Sequence, residues 1–343
     1  MKYTELPIPE HFDRKKADSV CRVDYSMISE LAVEWKNKYQ ILPSSKDKKK
    51  TCLFLIDVQN TFCIPGFELF VAGRDQLGAV KDNIRLCEFI YKNLKNITQI
   101  CATMDTHRAF QIFYPVFFVD KNNNHPKPMT VITAEDIENK RWFVNPGVLY
   151  NLEDVGAEFL KNQVEYYIKK VSEKGKFELI IWPYHAMLGG IGHSVVSIVE
   201  EALFFHNMAR SSQTDFEIKG NNPLTESYSA LCPEVLKGYD LSKIAVKNVK
   251  LIKKLLSYDR VVIAGQAKSH CVRWTIEDLL EEIKKVDKGL TEKIYILEDC
   301  TSSVVVPGVA DFTDSANEAF LRFRREGVNI VKSAVPMNEW GKK

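Results

Sequence analysis

The sequence predicts an α/β protein of three layers, α-β-α, with a mostly parallel central sheet. Two observations carry this. Short apolar runs such as TCLFLID (51–57) and VVIA (261–264) read as strands buried on both faces. They alternate with stretches of helical period, such as 80–94 and 316–326. Strands alternating with helices form right-handed β-α-β units, and the helices then cover both faces of the sheet.

In chain order, residues 1–50 read as an N-terminal extension. Pro7, Pro9 and His11 mark an extended lead-in, Tyr25–Tyr39 has helical periodicity, and the lysine-rich 46–50 is a solvated linker. The main domain spans 51–335. Its first strand ends at Asp57, and the loop after it is broken by Pro65, Gly66 and Gly73. A helix over 80–94 leads to a strand over 97–104, then Asp105-Thr106-His107. Residues from about 120 to 178 are rich in Asn, Pro and Gly breakers and read as an insertion, with one helix over 155–170. Further strands are expected at 178–182, Asp215–Lys219, 261–264, 293–297 and 328–331. Helices are expected over 194–207, ending at 256, and over 316–326.

Composition narrows the functional classes. Lys and Arg number 47 against 45 Asp and Glu, a net charge of +2, so no nucleic-acid or membrane partner is expected. No apolar run approaches the roughly 20 residues of a membrane span. The first residues lack the apolar core of a signal peptide. The eight cysteines are irregularly spaced, without a C-x-x-C pair, and read as reduced thiols of a cytoplasmic protein. There is no G-x-G-x-x-G or P-loop, hence no nucleotide motif.

Three groups lie at the carboxyl ends of expected strands: Asp57, Lys219 and Cys271. In an open parallel sheet those ends share one edge, where ligands bind. A carboxylate can take the proton of a thiol, and an ammonium nearby favours both thiolate and carboxylate. Backbone N–H groups of the turn 266–271 could hold an oxyanion. Each residue also has a plainer use: an Asp as a turn former, a Lys in solvent, a Cys as a small core residue. A second group is Asp105 and His107, two apart on an extended strand end, with His185 from another strand end; together they could make an open metal site. His270 adjoins Cys271 and reads as a pocket wall rather than a base.

The stretches LIDVQNTFCIPG, TMDTH, WPYH, IKGNNPLTESYSAL and VIAGQAKSHCV resemble, in order, those of the isochorismatase-like cysteine hydrolases, most closely the nicotinamidases. The resemblance covers most of 51–331. It implies the isochorismatase-like hydrolase fold and a catalytic triad of Asp57, Lys219 and Cys271. It also implies a cis peptide at Gln266–Ala267, with the Ala267 and Cys271 amides forming the oxyanion hole. A divalent metal (zinc, manganese or iron) on Asp105, His107 and His185 is implied as well, as are Phe62, Trp182 and Gln266 around the substrate. The implied activity is hydrolysis of a small planar carboxamide, nicotinamide to nicotinate plus ammonia, through a cysteine thioester. The alternatives are a ureido or carbamoyl amide or isochorismate as substrate, and a catalytically silent binding member. A small-molecule amide and a second copy of the chain are the expected partners. The chain departs from the family pattern at Thr106, at RAFQIFYPVFF, which lacks a His, at Ala186 and at AKSHC (267–271).

Overall fold

The computed structural model describes residues 5–340 apart from 153, 154 and 175. The first four residues of the extension and those three positions of the insertion lie outside the described residues. The central sheet has six parallel strands. They are β1 (Thr51–Ile56), β2 (Gln99–Asp105), β3 (Asp215–Lys219), β4 (Arg260–Gly265), β5 (Ile294–Leu297) and β6 (Asn329–Val331). Their order is β6-β5-β4-β1-β2-β3.

β1 is buried throughout, which is why its sequence is apolar without alternation. Successive side chains still face opposite ways. Leu53 and Leu55 join one core with α1 (Tyr25–Tyr39), α2 (Gly78–Lys92) and α4 (Ser197–Arg210). Phe54 and Ile56 join another with α5 (Val249–Leu256), α6 (Arg273–Val286) and α7 (Thr313–Arg325). Helices on both faces make the three expected layers.

The extension is docked on the first of these cores. The Leu6 N–H donates to Lys92 O at 2.9 Å, and the Cys21 N–H donates to Ser197 Oγ at 2.8 Å. The His11 ring stacks on Phe205 at 5.2 Å. The buried Arg210 pairs with Asp47, while the neighbouring Lys48, Lys49 and Lys50 stay exposed as expected.

One expected sheet strand is not there. The run 178–182 forms only Leu179–Ile180, which pairs antiparallel with Val131–Ile132 outside the central sheet. Its backbone donors are committed elsewhere: Ile181 N–H to Thr130 O and Trp182 N–H to Phe113 O, both at 2.8 Å. A segment so engaged has no free ladder to offer the sheet. It instead builds a third core with α3 (Ala157–Lys174), in which Phe113, Tyr114, Val164 and Trp182 are buried. Residues of all three cores, Phe62, Cys271 and Trp182 among them, line one cavity.

Candidate active site

Each candidate group reaches the carboxyl edge of the sheet for a local reason. Asp57 follows β1 with φ +49°, a left-handed conformation that Asp tolerates better than most residues. Its N–H donates to Thr103 Oγ1 at 3.0 Å, and the Thr103 hydroxyl donates back to Oδ1 at 2.6 Å. Lys219 and Asp105 end β3 and β2 and are register partners. β4 ends at Gly265, φ +119°, where a Cβ would meet Ile56 O at 2.1 Å, so only glycine lets the two strand ends pass. The chain then makes a single π-helical turn, Lys268–Val272, carrying Cys271 into α6. The Gln266–Ala267 peptide is cis.

The fold brings the three groups together. Lys219 Nζ lies 3.0 Å from Asp57 Oδ2, 2.8 Å from Asp105 Oδ1 and 3.7 Å from Cys271 Sγ, and it also donates to Ser227 O at 2.9 Å. Burial works against the Lys219 charge, but Asp105 and Asp57 hold the ammonium protonated far above its ordinary range. Burial pushes the Asp57 carboxyl up, with Lys219 opposing. Burial also pushes the Cys271 thiol well above its ordinary value; Lys219 opposes and Asp57 adds to the rise. The expected low-pKa thiolate is therefore not the resting form. Desolvation outweighs the ammonium, and the two carboxylates that share it add to the rise.

Asp105, His107 and His185 are buried with one potential ligand atom each, all within 4.8 Å of one another. Burial penalises the Asp105 charge, yet His107, when a proton sits on its Nε2, and Lys219 hold it well below the usual carboxylate range. The donor set suits a divalent ion. His107 Nδ1 faces Gly220 O at 3.1 Å and His185 Nδ1 faces Pro183 O at 2.8 Å. Those carbonyls take the Nδ1 protons, leaving both Nε2 lone pairs on the Asp105 side. His107 Nε2 then sits 2.8 Å from Asp105 Oδ2, two acceptors facing each other, an arrangement that a cation or a proton relieves. Gly220, φ +82°, keeps this packing open; a Cβ there would lie 2.7 Å from Asp105 Oδ1 and from His107 Cε1.

Phe62, Trp182, Gln266, Ala267 and Cys271 all line one cavity of about 500 Å³ that reaches this cluster. Phe62 stands edge-on to His185 at 5.8 Å. The Gln266 side chain is turned away, donating to Asp82 Oδ2 at 2.9 Å and accepting from Ser302 N–H at 3.2 Å, so its part in the wall falls to its backbone. The insertion contributes Pro128 and Met129 to the rim.

Sequence reading passed over several supports. Gln59, fully buried, accepts from Asp105 N–H at 2.7 Å and donates to Asp105 O at 2.8 Å. Thr103 shares a strand face with Asp105, a period-two signal that pointed to it. Glu226 accepts from Trp182 Nε1 at 3.1 Å and from Tyr167 OH at 2.9 Å. Burial first, against these hydrogen bonds, raises Glu226 to about 7. No local pattern marks it, because its partners come from 40 to 60 residues away.

No family model and no curated protein sequence matches the chain. Solved structures do. The yeast nicotinamidase bound to the inhibitor nicotinaldehyde is similar at a TM-score of 0.50 and 17% identity, over 82% of this chain and 99% of that one. A nicotinamidase/pyrazinamidase of Acinetobacter baumannii is similar at 0.49 and 18%, over 84% and 98%. The pyrazinamidase of Pyrococcus horikoshii in complex with zinc is similar at 0.45 and 20%, over 82% and 99%. At these identities the likeness is one of fold, and it is the fold the motifs implied: the chain shares the three-layer α-β-α architecture of the yeast nicotinamidase.

Proposed function

We propose that the chain is a cysteine amidohydrolase acting on a small planar carboxamide, with nicotinamide the first substrate to test. One observation supports this most: a single buried ammonium, Lys219, touches Asp57, Asp105 and Cys271 at once. Asp57 is within hydrogen-bonding reach of the thiol and takes its proton as the sulfur attacks the carboxamide carbon. The amides of Ala267 and Cys271 hold the oxyanion. Asp57 hands the proton to the leaving nitrogen, ammonia departs and a thioester remains. Asp57 then deprotonates a water that attacks the thioester, and returns that proton to the sulfur as the acid leaves. Lys219 keeps Asp57 charged between steps, and Phe62 and Trp182 flank the flat substrate. Asp105, His107 and His185 would hold a divalent ion (zinc, manganese or iron), whose Lewis acidity would polarise a bound atom. Ammonia release from nicotinamide tests the proposal: Cys271→Ala abolishes it, and turnover retained by that variant would sink the mechanism.

A further inference from the structure

His270 lines the same cavity, and the mechanism does not use it. Its ring is held in an aromatic cage: stacked on Phe177 at 4.6 Å and 6°, edge-on to Phe312 at 5.0 Å, with Tyr228 at 5.8 Å and Trp182 at 6.1 Å. Among the described residues none of these rings packs on His185, whose ring neighbours are His107, Phe62, Phe113 and Tyr114. The two imidazoles therefore mark different parts of the cavity wall.

The tautomer follows from the neighbours. Ser269 Oγ accepts from Val304 N–H at 3.0 Å and lies 2.8 Å from His270 Nδ1. Val304 N–H fills one lone pair, and among the described residues Nδ1 is the one acceptor in reach of the hydroxyl proton, so the hydroxyl donates to Nδ1 and the ring proton resides on Nε2. Nε2 is buried, and no protein group among the described residues pairs with it. Burial, with the Arg273 charge, brings His270 down to about 3, so at neutral pH it is an uncharged donor. A buried N–H without a partner is costly, and native structures rarely leave one. A cavity whose lining includes a residue with such a donor favours a ligand that satisfies it.

We infer that His270 is a specificity residue: its Nε2–H donates to an uncharged hydrogen-bond acceptor that the substrate carries in addition to its carboxamide. This rests on the amidohydrolase reading above. The acceptor is uncharged because the Glu226 carboxyl, raised to about 7 and so partly ionised at neutral pH, shares the wall and an anion would be repelled there. The cavity, about 500 Å³, is of the size that takes ligands larger than one simple ring.

The test compares ring-acetylated nicotinamides with isopropyl analogues of the same shape, which lack the carbonyl. Binding to Cys271→Ala protein is measured by calorimetry, and ammonia release is measured with the wild type. The acetyl compounds should bind roughly tenfold tighter, the value of one neutral hydrogen bond. His270→Phe, which keeps the stacked ring, and the milder Ser269→Ala should each shrink that ratio. Equal binding of the two series by Cys271→Ala protein, or binding of neither, overturns the inference, with no variant of His270 required. A preference in binding without ammonia release upholds the role of His270 and discards the amidase reading. Ammonia release without the preference does the reverse.

Discussion

Replacing Lys219 with methionine probes the centre of the site. The side chain keeps its length and loses its charge, leaving Asp57 and Asp105 buried without their shared cation. At 3.0 and 2.8 Å, Coulomb's law with an effective dielectric of about 20 gives roughly 5–6 kcal/mol of attraction per contact. Most of that offsets the cost of burying the ions, so the measurable loss is that of breaking a buried pair, about 3–5 kcal/mol. For 343 residues, at an unfolding entropy of about 2.1 cal/mol/K per residue, Tm falls by roughly 4–7 °C. The sign of the pH dependence is fixed. In the wild type Asp105 is held low, so its contribution is present above the unfolded carboxylate pKa and lost only in strong acid. In the variant the Asp57 carboxyl, raised by burial, loses the cation that opposes the rise, so stability returns as pH falls through its raised value. Thermal melts of chelator-treated protein should therefore show a deficit largest near pH 8 and shrinking toward about pH 5. A deficit that is flat with pH would mean that Lys219 acts through packing, and the electrostatic account would fail. Turnover should drop by at least about 10²-fold, the scale of one lost preorganised charge.

Three further outcomes are expected. Asp57→Asn should cut ammonia release by about 10²–10⁴-fold, yet iodoacetamide should alkylate Cys271 faster, because Asp57 is one of the groups that raise its thiol; unchanged labelling counts against Asp57 as the proton acceptor. Purified protein titrated with zinc should bind one equivalent, and His185→Ala should weaken that binding by more than the 10–100-fold typical of losing an outer partner; equal affinity in both removes the metal site. Glu226, raised to about 7, contributes stability that is fully present below its unfolded pKa and lost as pH rises toward 7, so Glu226→Gln should gain on the wild type by up to roughly 3 kcal/mol between about pH 5 and pH 8 in denaturant melts. A constant difference across that range refutes the burial of its charge.

Much of this could be read from the chain alone. β1 and β4 fall where apolar runs placed them, because a strand covered on both faces has no choice but a continuous apolar sequence, and the half-exposed edge strand β3 falls at Asp215–Lys219 as expected. The convergence of Asp57, Lys219 and Cys271 followed from topology, since parallel strands put all their carboxyl ends on one edge. The run 178–182 misled because a short apolar stretch has the same period in a sheet or beside one. Which ladder it joins is set by Thr130 and Phe113, distant in sequence and adjacent only after folding.

What only the tertiary structure decided is the electrostatic balance. From the sequence, Cys271 beside a lysine read as a thiolate. Burial, with Asp57 and Asp105 competing for the same ammonium, makes it a neutral thiol, and desolvation is a property of the packed interior that no local pattern carries. The unpaired Nε2 of His270 has the same origin. Its tautomer depends on Ser269 and Val304, and its isolation on Phe177, Tyr228 and Phe312, which come from separate parts of the chain. The sequence by itself determined which groups meet at the sheet edge. The fold decided their protonation and what the cavity around them asks of a ligand, because charge and hydrogen-bond satisfaction are settled by neighbours in space.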